Sequence, residues 1–414
     1  MYMEVTEASK TIEDLMRAHE CWRANCINLI ASENALSPGV KRWLSCDLVQ
    51  RYGDYTGRDL QARKYRGNKY IAQIEQVVTD LAQRVFDAKY VELRPLSGHV
   101  AGAAVLLGLC RPGDTVLELS REAGGHRMAT KLAEARLIDL NVEYWPFDPI
   151  RYNIDVGPAV DLMSAKQPRV ALLGSSIFLF PHPVAELAKA AMSLPDTTVV
   201  YDASHVLGLV AGHHFQDPLR EGAAMVFGSA HKTFPGPQGG IIFSNDDRVM
   251  DQVTTATYPG LVTNHHLARI PSMGIALSEI LTSGEAYAAQ TIANAQTLAR
   301  EIHARGVDVV GSEYGYTDSH TLLLSVKRFG KGAEIARLLE EAAIIVTSTA
   351  LPQEIGGDGI RIGVQEITRL GVTEGDMIEL ADLIAQAITG KRPPTEIALQ
   401  AQEFGSRFRK VCFT

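Results

Sequence analysis

"TTVVYDAS" at residues 197–204, followed by "AAMVFGSA" at 223–230 and "GGIIFS" at 239–244, is a succession of short β-branched and apolar runs. Gly, Pro or Asp bounds each run, which is typical of buried strands. Similar runs occur earlier, at 114–119 ("DTVLEL") and 169–174 ("RVALLG"). Segments of helical periodicity separate many of these runs. The alternation predicts an α/β domain whose mainly parallel sheet lies between helices.

Composition narrows the class of protein. The chain has 414 residues and a formal net charge of −8, so no overall positive field would attract nucleic acid or a membrane surface. No run of 18 apolar residues and no basic, apolar leader is present, and we expect a cytoplasmic protein. The five cysteines are scattered and form no C-x-x-C pair, so neither a disulfide framework nor a metal site is predicted.

Residues suited to cofactor chemistry follow the predicted strands or open a helix. They are Ser97, Gly98 and His99 in "LSGH", Asp202 and His205 in "YDASH", and His231 and Lys232 in "GSAHK". Open α/β sheets bind ligands at the carboxyl ends of their strands. A Ser-Gly turn before a helix can bind phosphate, an Asp can pair with a protonated pyridine nitrogen, and a Lys can form a Schiff base.

Each of these residues has an ordinary structural role when taken alone. A Ser-Gly turn is most often a helix cap, an Asp after a strand is usually a turn residue, and a Lys is usually a solvated surface charge. Their conjunction in this chain order on successive βα units indicates an enzyme of pyridoxal 5'-phosphate (PLP).

Longer motifs carry a resemblance to a family. They are "NLIASEN", "RYGDYTGR", "KYRGNKYI", "LSGHVAG", "GGH", "YDASHVLGLVAG", "SAHKTFPGPQGG" and "GIRIG". In this order they resemble serine hydroxymethyltransferases, which are fold-type I PLP-dependent transferases, along almost the whole chain. The versions "FLFPHPV" and "HKTFPGPQGG" look like the archaeal branch.

The resemblance implies a domain organisation. It predicts an N-terminal helical arm at 1–30 and a PLP-binding large domain at 31–285 with a mainly parallel seven-stranded sheet. A smaller α+β C-terminal domain follows at 286–414.

The resemblance also implies roles for individual residues. It makes Lys232 the covalent anchor of PLP and Asp202 the partner of the pyridine nitrogen, with His126 stacked on the ring. The other expected cofactor contacts are Ser97, Gly98 and His99 near the phosphate, Ser176 near the ring hydroxyl, and His205, His231 and Gly260. The expected substrate contacts are Arg361 and Ser32 at the carboxylate, with Tyr52, Tyr65, Arg121 and Arg127.

The implied reaction is cleavage or formation of the Cα–Cβ bond of a β-hydroxy-α-amino acid through a glycyl carbanion. Asp54, which stands at the place of a family glutamate, is a candidate for the base that acts on the hydroxyl, as are His126 and Tyr52. In the family the neighbouring subunit contributes the Tyr52 segment and Gly260 to each site. The resemblance therefore implies a homodimer with a shared site, and it leaves open whether dimers pair into tetramers.

The sequence departs from the family where the resemblance places folate. Arg121 and Arg127 stand where leucines sandwich the pterin and aminobenzoyl rings, and Arg66 replaces a tyrosine. The other departures are Thr347 and Thr349 at asparagine positions, Val364, Gln365 and Glu366 for Thr-Pro-Ala, His99 for Ser or Thr, and Ser204 for Ala. Losing an apolar wall removes roughly 1.5 to 3 kcal/mol per large buried side chain, which argues against tetrahydrofolate or another pterin. The alternative is that both arginines are surface charges.

Three interpretations follow. The first is a folate-independent aldol-type enzyme, such as an L-threonine transaldolase that passes the glycyl unit to another aldehyde. The second is a serine hydroxymethyltransferase that uses a tetrahydropterin. The third is a catalytically silent structural or regulatory paralogue, against which the retention of Lys232, Asp202, His126, Ser97 and Arg361 argues.

Overall fold

The computed structural model describes residues 5–414, with side chains from residue 7 onward. The strands, in chain order, are β1 Ile27–Asn28, β2 Tyr90–Glu92, β3 Thr115–Glu118, β4 Asn141–Tyr144, β5 Phe147–Asp148, β6 Asn153–Ile154, β7 Val170–Gly174, β8 Thr198–Asp202, β9 Met225–Ser229, β10 Gly240–Ser244, β11 Asp308–Val309, β12 Thr321–Ser325, β13 Ile344–Ile345, β14 Thr347–Ala350 and β15 Asp358–Gly363. The α-helices are α1 Val5–Ala24, α2 Pro38–Arg42, α3 Lys69–Phe86, α4 Gly98–Leu109, α5 Met128–Glu134, α6 Val156–Lys166, α7 Val184–Ala191, α8 Leu207–Ala211, α9 Asp247–Thr255, α10 Arg269–Ala304, α11 Gly332–Glu341, α12 Gln365–Arg369, α13 Glu374–Thr389 and α14 Pro394–Ser406.

A seven-stranded sheet forms the centre of the molecule, in the order β2-β10-β9-β8-β7-β3-β4. Strands β4, β3, β7, β8 and β9 pair in parallel, and β10 is antiparallel to both β9 and β2. This arrangement confirms the predicted fold class. It also explains the opening motif, because the runs at 198–202, 225–229 and 240–244 are adjacent strands in the middle of the sheet.

Both faces of the sheet are buried. Along β8, Val199 and Tyr201 join one apolar cluster, whereas Val200, between them, joins another on the opposite face. Side chains alternate between faces in a strand, so an apolar run without polar alternation requires helices on both sides. The second cluster includes residues of α4, which is rich in Ala and Gly and lets its backbone approach the sheet closely.

A second, smaller core surrounds the four-stranded antiparallel sheet β11-β12-β15-β14. The helix α10 is 36 residues long and contributes buried residues to both cores. The boundary expected between residues 285 and 286 lies within this helix, and the division into domains stays a prediction. Of the expected arm at 1–30, residues 1–4 lie outside the described part.

Within residues 5–414, none of the helices combines the length of a bilayer-spanning segment with sufficient apolar character.

Candidate active site

Lys232 lies in the turn after β9, with its Nζ 3.0 Å from Nε2 of His205. The pKa of Lys232 is lowered to about 8, chiefly by burial; the charge of Asp202 opposes this change, and the positive charges of Arg361 and Lys131 add to it. Burial also holds the pKa of His205 well below its usual value, so the ring is neutral and can accept a hydrogen bond from the amine. The arrangement yields a lysine with a substantial unprotonated fraction near neutral pH, as a nucleophilic amine requires.

Asp202 ends β8 on the neighbouring strand and is only 5% exposed. Its Oδ1 accepts a hydrogen bond of 2.9 Å from the Ser204 backbone N–H. Burial raises the pKa of Asp202, and interactions with Ser204 and Lys232 oppose this rise. A buried carboxylate is stable as an anion when a cation is nearby, so this position suits the protonated nitrogen of a pyridine ring.

His126 and His99 meet edge to face, with His99 Nδ1 3.2 Å from His126 Nε2. Burial, followed by the nearby charge of Lys131, lowers the pKa of His126 to about 3. The ring is therefore neutral over the physiological range. A neutral flat ring at this place can stack against an aromatic cofactor without repelling its cationic nitrogen.

The amino terminus of α4 lies at one end of the site and has the features of an anion-binding position. Ser97 is the N-cap, and its Oγ accepts from the Val100 N–H at 3.1 Å. A Cβ at position 98 would collide with the Oγ of Ser229, so only glycine fits between the helix and the end of β9. The free N–H groups of a 12-residue helix and the hydroxyls beside them suit a phosphate.

Arg361 reaches the site from the smaller core. It lies on β15, and its Nη1 donates to the Ser176 carbonyl at 2.9 Å. Its Nε and the hydroxyl of nearby Tyr152 are both buried without a partner among the described residues. Burial lowers the pKa of Arg361, while burial raises that of Tyr152. A buried guanidinium with an unused donor is suited to a carboxylate.

One small cavity unites many of these groups. Its walls are Gly98, His99, His126, Met128, Ser176, Asp202, Ser204, His205, Ser229 and Lys232. We call it the Lys232 cavity. An amine, a buried carboxylate, a neutral imidazole and a phosphate-binding helix end converge there, and this set of donors fits PLP. The structure thus brings together eight residues that the sequence had singled out, leaving Met128 and Ser229 as additions.

A second group of expected site residues lies outside the walls of the Lys232 cavity. The rings of Tyr52 and Tyr65 are 5.2 Å apart, and Tyr52 is 51% exposed. Asp54 is buried; its Oδ2 accepts from the Asn264 N–H at 3.1 Å, and its Oδ1 is 3.6 Å from Nδ1 of His265. We call these four residues, Tyr52, Asp54, Tyr65 and His265, the Asp54 cluster.

Gly260 is exposed in the π-helical segment Ala256–Leu261, and it too is absent from the walls of the Lys232 cavity. Ser32 and His231 line a larger cavity beside α1, together with Glu33 and Glu366. The His231 Nδ1 accepts from the Gly239 N–H at 3.4 Å, and burial lowers its pKa to about 4. Within one chain these residues therefore do not share the cavity of Lys232.

The arginines at the positions where the resemblance places folate differ in exposure. Arg66 and Arg121 are exposed. Arg127 is half-buried at the start of α5 with φ of 56°, and its Nη2 is 3.6 Å from Oε1 of Glu134. On β14, Thr347 pairs with Arg361 in the strand register, which places it beside that arginine.

Sequence reasoning missed several residues near the site. Lys131 Nζ lies 3.4 Å from His126 Nε2, and the His320 ring stacks against His205 at 6.2 Å. Ser229 could have been found, because it ends β9 at the same sheet edge as Asp202. No local pattern indicated Lys131 or His320, which reach the site through tertiary packing.

The chain is similar to known proteins over its length. Residues 5–384 match the family model described as serine hydroxymethyltransferase. The serine hydroxymethyltransferase of Methanopyrus kandleri is 42% identical over 398 residues, covering 95% of this chain and 92% of the relative. That of Pyrococcus furiosus is 40% identical over 422 residues, covering 100% and 98%. A solved structure of L-threonine transaldolase from Pseudomonas fluorescens, in its internal aldimine state, superimposes with a TM-score of 0.91 at 28% identity, covering 99% of this chain and 94% of that one.

Proposed function

The chain belongs to the serine hydroxymethyltransferase family of PLP-dependent transferases, and we propose that it is a folate-independent aldol-type enzyme, an L-threonine transaldolase. It would split L-threonine into acetaldehyde and a glycyl unit and transfer that unit to another aldehyde. The observation that carries this proposal is the cationic surface beside His126. Arg127 and Lys131 stand there, where a flat apolar cosubstrate would need apolar walls.

The residues that would hold PLP are those of the Lys232 cavity. Lys232 would form the covalent bond, Asp202 would pair with the pyridine nitrogen, and His126 would cover the ring face. Ser97, at the end of α4, would bind the phosphate together with the helix N–H groups. When bound, PLP supplies an electron sink that weakens the bonds to the amino acid's Cα.

Arg361 selects which of those bonds breaks. A carboxylate held by its Nε and the neighbouring guanidinium nitrogens fixes the rotation about the Cα–N bond of the substrate. Held in this orientation, the substrate would present its Cα–Cβ bond for cleavage. Ser32, the other expected carboxylate contact, lines the separate cavity beside α1. The Tyr152 hydroxyl, buried near the guanidinium without a partner in the described structure, is available to the same carboxylate.

Proton transfer at the substrate hydroxyl completes the cycle. The hydroxyl proton of L-threonine leaves as acetaldehyde departs, and a proton returns to the new hydroxyl when the second aldehyde bonds. His126 is neutral at pH 7, but a pKa lowered to about 3 makes it a weak base for that proton, which favours the other two candidates, Asp54 and Tyr52. The Asp54 cluster would act on the Lys232 cavity of a second subunit, so we propose a homodimer with shared sites. We also propose that the enzyme works in the cytoplasm.

Serine hydroxymethyltransferase activity is the second candidate. It is favoured by the relatives of that name at about 40% identity. In that case serine and a tetrahydropterin would give glycine and the methylene-tetrahydropterin. A silent paralogue is a weaker candidate, because a protein without catalytic activity does not require a buried lysine of lowered pKa beside a neutral histidine.

The decisive experiment supplies the PLP-loaded enzyme with L-threonine in the absence of folate and measures acetaldehyde release. We expect steady release that increases when a second aldehyde is added, with Lys232→Ala as the inactive control. The same enzyme is then given L-serine with and without tetrahydrofolate. Turnover of serine that depends strictly on tetrahydrofolate, with no release of acetaldehyde from threonine, would establish the second candidate instead.

A further inference from the structure

Lys131 carries a positive charge against the wall of the Lys232 cavity. Its Nζ is 3.5 Å from Nδ1 and 3.4 Å from Nε2 of His126, so the ammonium contacts the ring as a whole and does not depend on one hydrogen bond. Its charge lowers the pKa of Lys232, of His126 and of His99, which shows that its field reaches the reacting groups. A neutral His126 leaves this charge uncompensated.

The surrounding acids are already engaged. Among side chains 7–414, no carboxylate oxygen lies within 4 Å of Lys131 Nζ. Glu118 accepts hydrogen bonds from the N–H groups at the start of α5, and Asp202 accepts from Ser204. Glu134 is exposed and faces Arg127 at 3.6 Å. Burial lowers the pKa of Lys131, and the charge of Arg127 lowers it further. Two cations therefore share one solvated carboxylate.

We propose that Lys131, assisted by Arg127, binds an anionic group, a carboxylate or a phosphate, on the acceptor aldehyde. This inference rests on the proposed transaldolase function and names its class of acceptor. The other two anions of the reaction already have partners: the cofactor phosphate fits the end of α4, and the donor carboxylate fits Arg361. The charge beside His126 is left for a third anion, and the acceptor is the remaining reactant that can carry it.

The reaction balances without an oxidant or a further reactant. With glyoxylate as acceptor, the Cα–Cβ bond of L-threonine breaks and releases acetaldehyde. A new bond then forms between the same Cα and the aldehyde carbon of glyoxylate. The threonine hydroxyl loses one proton and the new hydroxyl gains one, so the product is 3-hydroxyaspartate.

The test compares acceptors of equal carbon number in the PLP-loaded enzyme with L-threonine as donor. Glycolaldehyde is uncharged, glyoxylate carries a carboxylate, and glycolaldehyde phosphate carries a phosphate. We expect kcat/KM to favour at least one anionic acceptor over glycolaldehyde by roughly tenfold. Lys131→Gln should remove most of that preference, measured as the ratio of kcat/KM for the anionic acceptor to that for glycolaldehyde in the same variant, whereas Lys131→Arg should keep it.

Lys189→Gln is the matched control. Lys189 also lies in the last turn of a short helix, α7, but it is exposed. It should change neither acceptor class. Bound PLP is monitored through its visible absorbance in every variant.

The outcomes separate the two proposals. Release of no acetaldehyde from threonine with any acceptor would overturn the transaldolase function. Transfer to glycolaldehyde that equals transfer to the anions, unchanged in Lys131→Gln, would overturn only the anionic subsite. Loss of bound PLP in Lys131→Gln, or an equal loss with all three acceptors, would assign Lys131 to the cofactor or to the orientation of His126 and would also overturn the subsite.

Discussion

Two parts of the site differ in construction: the residues at the strand ends, which we call the strand-end side, and the residues on the loops, which we call the loop side. On the strand-end side, Asp202 and Lys232 follow adjacent parallel strands, and their surroundings are almost fully buried. On the loop side, Tyr52, Arg66 and Arg121 are exposed in the single chain. Backbone pairing determines the positions of the first set, whereas whatever packs on the loops determines the function of the second. We therefore expect the strand-end side to hold the cofactor, and we propose that the loop side faces the partner subunit and the acceptor.

The largest effect on activity is expected when one residue is removed from each side of the site. Lys232→Ala should lower activity by roughly three orders of magnitude or more, since the nucleophilic amine is lost. Asp54→Asn should also impair the enzyme, because Asp54 is a candidate base. When the two variants are co-expressed, a site shared between subunits should restore about a quarter of the wild-type activity, because half of the dimers carry one intact site.

Activity of the mixed sample is compared with each variant alone, at equal total protein. Co-expression of Lys232→Ala with Arg361→Ala is the control: both residues act in the same chain, so neither site of a mixed dimer is intact and no activity should return. No recovery in the pair with Asp54→Asn would show that Asp54 is not supplied by the partner subunit. Recovery in the control pair would show that Lys232 and Arg361 do not serve one site of the same chain.

The pH dependence of cofactor loading tests the strand-end side directly. Only the unprotonated amine of Lys232 attacks the PLP aldehyde, and burial lowers its pKa from 10.5 to about 8. The rate of PLP uptake by the apoenzyme should therefore rise about tenfold per pH unit below pH 8 and level off above it. Stopped-flow absorbance measures this rate. An ordinary lysine would continue to gain until about pH 10.5, and such a profile would contradict the assigned environment.

Asp202→Asn is the matched variant for this measurement. The negative charge of Asp202 raises the pKa of Lys232, so the Asn variant should move the inflection of the rate profile to lower pH. A shift to higher pH would show that Asp202 acts on the amine in another way.

The sequence predicted the strand-end side well because the physics there is local. Runs such as "VVYD" and "MVFGS" are typical of buried strands, and in a parallel sheet the residue at the end of each lies at the carboxyl edge. The family resemblance then supplied roles for Asp202 and Lys232, and the burial and charge of both residues are consistent with those roles.

Other parts of the site could not be read from the chain alone. His265 joins Asp54 to Glu75 through packing between distant segments, and His320 reaches His205 from the smaller core. Lys131 is four residues beyond Arg127 on one short helix, but only the folded position of His126 shows that its ammonium faces the cavity. Tertiary contacts of this kind leave no periodic signal in the sequence.

The smallest effect is expected from the arginines that first suggested an unusual acceptor. Arg121 is exposed, so solvent and salt screen its charge, and Arg121→Gln should change the preference for anionic aldehydes by less than about twofold. Arg127 is half-buried, and Glu134, the carboxylate that it faces, is exposed to solvent. Arg127→Gln should therefore weaken that preference by a few-fold, less than Lys131→Gln. The same three aldehydes measure both variants. A tenfold loss of that preference in Arg121→Gln would instead indicate that the guanidinium contacts the acceptor. The loop side would then be as buried in the assembled enzyme as the strand ends.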